Sequence, residues 1–252
     1  MENSTTRFSN RVEDYVKYRP GYPVEIISYL RQEYSLTIDK TIADIGAGTG
    51  ISSELFLQAG YSVTAVEPNK EMREKAIALL SAYPGFNAVN STAENTTLAD
   101  NSVDAIIAGQ AFHWFDRERC KTEFKRLLRK DGIVVLMWNE RKLSSPFEKE
   151  YEALVLTHAR DYVKVDHRNI DEEHIAQFFY PQPFQLRIFP NQQTFNFEGL
   201  LGRLLSSSYM PQREDDGFKQ MNSALQFLFN KYRENGTVHI GYDTKVYVGQ
   251  VA

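Results

Sequence analysis

Short apolar runs and stretches in which apolar residues recur every three or four positions alternate along the first half of the chain, a pattern of strands separated by amphipathic helices. The runs Thr41–Ile45, Tyr61–Glu67, Phe86–Asn90, Asn101–Ala108 and Ile133–Asn139 predict five buried strands. Between them, a helix is expected from Ile51. A second opens at Pro68-Asn69 with Met72, Ala76, Leu79 and Leu80 on one face, and a third is capped by Asp116 with Cys120, Phe124, Leu127 and Leu128 inward, ending before Gly132. Strand and helix units in this order imply a parallel sheet joined by right-handed crossovers. Before the sheet, the segment from Phe8 predicts a helix of about two turns, stopped by Pro20-Gly21. Another starts at Pro23 with Val24, Ile27, Leu30 and Tyr34 at helical spacing. Beyond Arg141 the pattern changes: helices over Pro146–Tyr162 and Asp171–Tyr180, a break at Pro181-Gln-Pro183, a strand over Phe184–Phe189, helices near Glu198–Tyr209 and Gly217–Arg233, and a last strand over Thr244–Val248.

The first strand runs into Asp44-Ile-Gly46-Ala47-Gly48-Thr49-Gly50, where glycines remove Cβ atoms from a turn that must take positive φ or touch a ligand. The helix that follows points its unpaired N–H groups into this turn. The second strand ends in Glu67, near the offset expected for a carboxylate that binds ribose hydroxyls. Both signals call for an adenosine-containing cofactor. The turn reads Gly-x-Gly-x-Gly, and Ile51 stands where a dinucleotide fingerprint has its last glycine. Asp44 adds a carboxylate at the mouth, hostile to a pyrophosphate and suited to an ammonium or sulfonium. S-adenosylmethionine is favoured over NAD, and an NAD-dependent oxidoreductase remains the alternative. Past the fourth strand, Gly109-Gln110-Ala111-Phe112-His113-Trp114-Phe115-Asp116 occupies the carboxyl end of the sheet, where open α/β sheets bind ligands. The unperturbed pKa of an imidazole lies near neutrality, so His113 can serve as a general base, hydrogen-bond an acceptor or orient the loop.

Composition narrows the partners. With 252 residues and 42% apolar content the chain can bury a sizeable core, and a net charge of −4 supplies no overall field for nucleic acid. One cysteine, Cys120, excludes a disulfide framework or a cysteine-based zinc site. His158, Asp166, His167 and His174 match no metal-ligand spacing. No apolar stretch is long enough to span a membrane and the first residues lack a signal-peptide pattern, so a cytoplasmic protein, monomer or homodimer, acting on a small molecule is expected.

The Asp44–Gly50 turn with Glu67 resembles motif I and the following acid of class I S-adenosylmethionine-dependent methyltransferases. The Tyr15-Val-Lys-Tyr18-Arg19-Pro20-Gly21-Tyr22-Pro23 segment and the Gln110–Asp116 loop resemble the subgroup that includes trans-aconitate methyltransferase. The resemblance is dense from Tyr15 to Arg141 and loose after it. It implies a Rossmann-like seven-stranded sheet with helices on both faces, an antiparallel last strand, and a helical lid from the N- and C-terminal segments. The expected division is a single domain over residues 1–252: a cap over 1–40, a cofactor core over 41–140, and lid and edge strands over 141–252. It implies that Arg19 pairs with the methionine carboxylate and that Ala93 and Glu94 edge the adenine. Asp44, Gly46, Ala47, Gly48, Thr49, Gly50, Glu67, Pro68, Met72, Gln110, Ala111 and Phe112 complete the cofactor shell. Tyr18, Tyr22, His113, Trp114, Trp138 and Tyr209 would meet the acceptor, with Ser206, Ser208 and Met210 near them. The implied function is methyl transfer to a small molecule, with a carboxylic acid as one acceptor class; a non-catalytic module that binds the cofactor is the second alternative.

Overall fold

The computed structural model describes residues 12–160 and 172–251. Asp166 and His167 of the metal reading lie outside them, as do Phe8–Arg11, Asp161–Tyr162 and Asp171 of the expected helices. The elements are α1 (Val12–Tyr18), α2 (Glu25–Tyr34), β1 (Thr41–Ile45), α3 (Ile51–Gln58), β2 (Ser62–Val66), α4 (Lys70–Leu80), β3 (Phe86–Val89) and β4 (Val103–Gly109). A single 3-10 turn (Phe112–Trp114), α5 (Arg117–Leu127), β5 (Leu128–Arg141), α6 (Pro146–His158), α7 (Glu172–Phe179), β6 (Phe184–Phe195), α8 (Phe197–Leu205), α9 (Phe218–Tyr232) and β7 (Val238–Gly249) follow. One seven-stranded sheet runs β3-β2-β1-β4-β5-β7-β6. The first five strands are parallel; β7 pairs antiparallel with both β5 and β6.

Strand alternation sends side chains to two layers. Ile42, Val63, Ala105, Ile107, Val135 and Met137 pack on α2 and α3 through Ile26, Leu30 and Phe56. Ala43, Ile45, Ile106, Ala108, Val134, Leu136 and Trp138 pack on α5 and α7 through Phe124, Leu127, Phe178 and Phe179. A third apolar core lies beyond the sheet. Tyr18 of α1, Tyr151 of α6, Leu200 and Leu204 of α8, Met221 and Leu225 of α9, and Ile240 and Tyr242 of β7 build it. The lid is therefore held by its own buried side chains, and α1 belongs to it: a Cβ on Gly202 would stand 2.0 Å from the Tyr18 ring.

Boundaries differ from the sequence reading where long-range pairing overrides local pattern. β6 continues through Pro190 because it is the sheet edge, where a missing N–H costs no ladder bond on the outer side. β7 lengthens with it, pairing Val238 with Phe195. Leu128 leaves α5 because it pairs with Val103, and the chain turns at Asp131 with φ +64° before rejoining β4 at Ile133. Val24, expected inward, is exposed, since α2 starts two residues later, at Glu25, and turns Ile26 and Ile27 to the sheet; Leu79 is exposed beside buried Leu80.

Candidate functional site

Residues at the carboxyl ends of β1, β2, β3 and β4 converge on a cavity of about 310 Å³, within the range of small-molecule sites. Gly46–Gly48 come from β1, Glu67–Asn69 from β2, Thr92–Glu94 from the segment after β3, and Gly109–Ala111 with Trp114 and Phe115 from the loop after β4. The N-terminal segment closes it with Tyr15, Arg19, Pro20 and Tyr22. That segment is anchored to the sheet edge by two amides: Asn139 Nδ2 and Asn191 Nδ2 donate to the Gly21 carbonyl at 3.1 and 2.9 Å. Asn191 also donates to Asn139 Oδ1 at 3.1 Å, and Thr244 Oγ1 donates to the same oxygen at 2.5 Å.

The glycine turn separates packing from access. A Cβ on Gly46 would meet Ala111 Cβ at 2.7 Å, and one on Gly50 would meet Leu80 Cδ1 at 2.4 Å; one on Gly48, at φ +58°, would meet nothing within 4 Å. Gly46 and Gly50 let neighbouring elements approach, whereas Gly48 leaves open space on the cavity side. Glu67 locks the turn to the end of β2. Its Oε2 accepts from Gly48 N and its Oε1 from Asn69 N, both at 2.8 Å. Burial raises its carboxyl above the ordinary value although both backbone N–H groups oppose the shift. Each oxygen keeps acceptor capacity for a further donor.

Asp44 departs from the sequence reading. It does not line the cavity mouth but is 1% exposed, on the Ile42 side of β1, where Ser52 and Ser53 of α3 donate to Oδ2 at 2.6 and 2.7 Å. Its Oδ1 is buried without a partner among the described residues. Burial raises the carboxyl to about 6 against the two serine hydrogen bonds. An anion one layer behind the wall, beneath Ser52 and Tyr22, still favours a cation in the cavity. The sign follows: the folded carboxyl keeps its proton up to about pH 6, whereas an unfolded aspartate releases it near 3.8. Stability of the unliganded protein thus falls as pH rises through that window, and affinity for a cationic ligand rises across it. Calorimetric titration with S-adenosylhomocysteine, whose ammonium is the cation, should show weaker binding below about pH 6 in wild type. The limb attributable to this carboxyl should be absent in Asp44→Asn; an identical pH profile in both would detach Asp44 from the ligand.

Other expected residues divide likewise. Pro68, Met72, Ala47, Ala93, Glu94, Gln110, Ala111, Trp114 and Tyr22 are on the cavity wall, together with Ile51, Ser52, Asn69 and Phe115, which the sequence reading did not assign to the site. Gln110, at φ +56°, also donates from Nε2 to the Asn139 carbonyl. Phe112 is fully buried among Phe115, Trp138 and Phe178, so it supports the loop from below. Trp138 faces the α5/α7 layer against Tyr247, away from the wall. Thr49 is buried, and Tyr18 is in the lid core. His113 sits on the 3-10 turn against Trp114, with their ring centres 4.8 Å apart; Trp114 reaches the wall and His113 does not. Tyr209 lies beside the lid arginines rather than on the wall.

Arg19 closes the opposite end. Its Nη2 donates to the Ser206 carbonyl at 2.9 Å, its guanidinium lies 4.9 Å from the Tyr15 ring centre, and its buried Nε has no partner among the described residues. Burial, then the charge of Arg203, lowers its pKa below the ordinary guanidinium value. The cavity thus offers an open face at Gly48, a carboxylate able to take hydroxyl donors and an unsatisfied cationic donor. This set fits a ligand with a ribose diol and an amino-acid carboxylate.

Sheet order and strand directions define a Rossmann-like fold, with a cavity at the carboxyl ends of its parallel strands. The family model described as a methyltransferase domain matches residues 43–136, the stretch holding every strand-end segment of the cavity. An uncharacterized methyltransferase of Mycobacterium tuberculosis is 39% identical over 134 residues, covering 53% of this chain and 52% of that protein. The chain thus spans about half the length of the curated relatives it matches. Among solved structures, a candidate type II methyltransferase of Anaeromyxobacter dehalogenans superposes with a TM-score of 0.68 at 20% identity, over 93% of this chain and 98% of that one. Phospholethanolamine N-methyltransferase 2 of Haemonchus contortus, in complex with phosphomonomethylethanolamine and S-adenosylhomocysteine, superposes with a TM-score of 0.54 at 14% identity, over 96% and 57% of the two chains. Likenesses at such identity are likenesses of fold. The description of the matched domain is that of a methyltransferase, not of an oxidoreductase. Among the described residues no helix is long and apolar enough to cross a membrane, and no three metal-ligating side chains gather.

Proposed function

We propose that the protein transfers a methyl group from S-adenosylmethionine to a small-molecule acceptor, a carboxylic acid being one candidate class. The observation that carries this reading is the cavity built on Gly48, Glu67 and Arg19, three groups matched to three different parts of one cofactor. When bound, that cofactor supplies a methyl carbon activated by a sulfonium leaving group. Glu67 takes the ribose hydroxyls, Arg19 the methionine carboxylate, and Asp44 favours the positive end from behind Ser52 and Tyr22. Pro68, Met72, Ala93 and Glu94 border the adenine. The wall residues Tyr15, Tyr22 and Trp114 exclude water and hold the acceptor in line, so that positioning supplies much of the rate. The same reading has the protein act in the cytoplasm as a monomer or homodimer over a single domain. Incubating it with S-adenosylmethionine and a panel of carboxylic acids, phenols and amines, read by mass spectrometry, tests the proposal: one acceptor should gain a methyl group. Binding of S-adenosylhomocysteine with the donor unconsumed across the whole panel would instead favour a non-catalytic module.

We assign His113 to the acceptor side, on the strength of its place between wall residues Ala111 and Trp114. His113→Ala is expected to leave S-adenosylhomocysteine affinity nearly unchanged while lowering turnover, because only contacts stronger in the transition state act on the chemical step. A base should contribute on the order of 100-fold with an acid limb in the pH profile; a positioning hydrogen bond costs less and leaves no limb. Normal turnover would remove His113 from the site.

A further inference from the structure

The strap from Tyr18 to Gly21, which carries Arg19 to the cavity, is held by its backbone carbonyls, and side-chain amides of the sheet do the holding. Strand alternation turns Asn139 of β5 to the face opposite Trp138, with Thr244 of β7 as its direct cross-strand neighbour. Asn139 is 4% exposed and Thr244 fully buried. Asn139 Nδ2 donates to the Gly21 and Pro20 carbonyls at 3.1 and 3.4 Å, while its Oδ1 accepts from Thr244 Oγ1 at 2.5 Å and from Asn191 Nδ2 at 3.1 Å. Asn191 also donates to the Gly21 carbonyl, and Gln193, two residues along β6, donates from Nε2 to the Tyr18 carbonyl at 3.1 Å. Arg19 thus has an anchored carbonyl on either side of it in the chain. The Asn139 backbone carbonyl in turn accepts from Gln110 Nε2 at 3.2 Å, which ties the strap to a wall residue of the loop after β4.

We propose that Asn139 is a positioning residue for cofactor binding: its amide fixes the strap where the Arg19 guanidinium can meet the methionine carboxylate. The inference rests on the methyltransferase reading, with Arg19 as the carboxylate ligand, and adds to it a residue that is not on the cavity wall. The pattern at Asn139 requires an amide, with two donors toward the strap and an acceptor toward Thr244 and Asn191. Its orientation is set from the backbone. The Gln192 N–H donates to Asn191 Oδ1 at 2.8 Å, which turns Asn191 Nδ2 toward Asn139 and keeps the Asn139 oxygen on that side. A carboxylate of the same shape would put a second oxygen against the Pro20 and Gly21 carbonyls, losing both donors and repelling the strap. A displacement of about 1 Å is enough to take a charge-assisted hydrogen bond out of range, so the effect reaches the ligand through Arg19.

The test compares two ligands on the full chain by calorimetry: S-adenosylhomocysteine, which carries the amino-acid carboxylate, and 5′-methylthioadenosine, which lacks it. Arg19→Met sets the scale, and should weaken S-adenosylhomocysteine at least about tenfold and 5′-methylthioadenosine by less than about threefold. Asn139→Asp should show the same split although Asn139 touches neither ligand. In the Arg19→Met background, Asn139→Asp should cost S-adenosylhomocysteine less than about threefold more, because the contact through which it acts is already gone. A merely structural asparagine would weaken both ligands alike and add its full cost to that of Arg19→Met. If Asn139→Asp does not fold, Asn191→Ala, which removes the second donor to the Gly21 carbonyl, must show the same split at about threefold or more. Unchanged S-adenosylhomocysteine affinity, equal weakening of both ligands, or additive losses in the double variant would overturn the proposal. An Arg19→Met variant that binds S-adenosylhomocysteine as tightly as wild type would overturn the Arg19 assignment and the proposal with it. A wild type that binds neither ligand would overturn the methyltransferase reading instead, and the first titration shows that separately.

Discussion

Gly48→Val is expected to abolish binding of S-adenosylhomocysteine, taking a calorimetrically measurable affinity below detection, while most of the fold survives. The position has φ +58°, and its Cβ direction is empty for 4 Å into the space that faces the cavity. A branched side chain therefore fills ligand volume rather than striking protein. Forcing an L-residue into the left-handed region costs about 1–2 kcal/mol, more for a β-branched one, which a packed sheet with two covered faces can absorb. Gly50→Val is the informative contrast. There the Cβ would collide with Leu80 on α4, so thermal stability should fall first and binding only as a consequence. Unchanged affinity in Gly48→Val would show that the ligand does not approach this turn.

Glu67→Gln should weaken the same ligand by about 1–3 kcal/mol, roughly 5- to 150-fold. The amide keeps the shape and one acceptor, but its NH2 must face the N–H of Gly48 or of Asn69, since both carboxylate oxygens are engaged by backbone donors. The loss thus has two sources, a ribose contact and a loosened turn. Comparing S-adenosylhomocysteine with its 2′-deoxy analogue in both proteins separates them. If Glu67 accepts from the diol, removing the 2′-hydroxyl should cost wild type clearly more than the variant. An equal loss in both would leave Glu67 only its role in holding the turn.

The order of strands and helices, the glycine turn and the acid after β2 were legible in the chain because each is a local pattern: period two or near four, punctuated by glycine, proline and capping residues. Strand alternation was also present and would have refined two assignments. Asp44 shares a face with Ile42 and therefore turns to α3, not to the mouth, and Trp138 shares a face with Val134 and Leu136, leaving Asn139 to turn toward the N-terminal segment.

What the linear pattern could not hold is any property that depends on residues far apart in sequence meeting without water. Arg19 reaches the Ser206 carbonyl across 187 positions, and Asn139 reaches Gly21 across 118. From the chain alone, Arg19 is a cofactor ligand and Ser206 an acceptor contact only by resemblance, and Asp44 reads as a mouth carboxylate. Their chemistry comes from burial and mutual proximity, which raise one carboxyl to about 6 and bring one phenol down to about 8. Local sequence determined the sheet and where its ligand edge lies. Only the docking of α8 and the N-terminal segment over that edge decided that Arg19 is buried with its Nε unpaired among the described residues, because desolvation and Coulomb interactions are set by the whole surround and not by the neighbours in the chain.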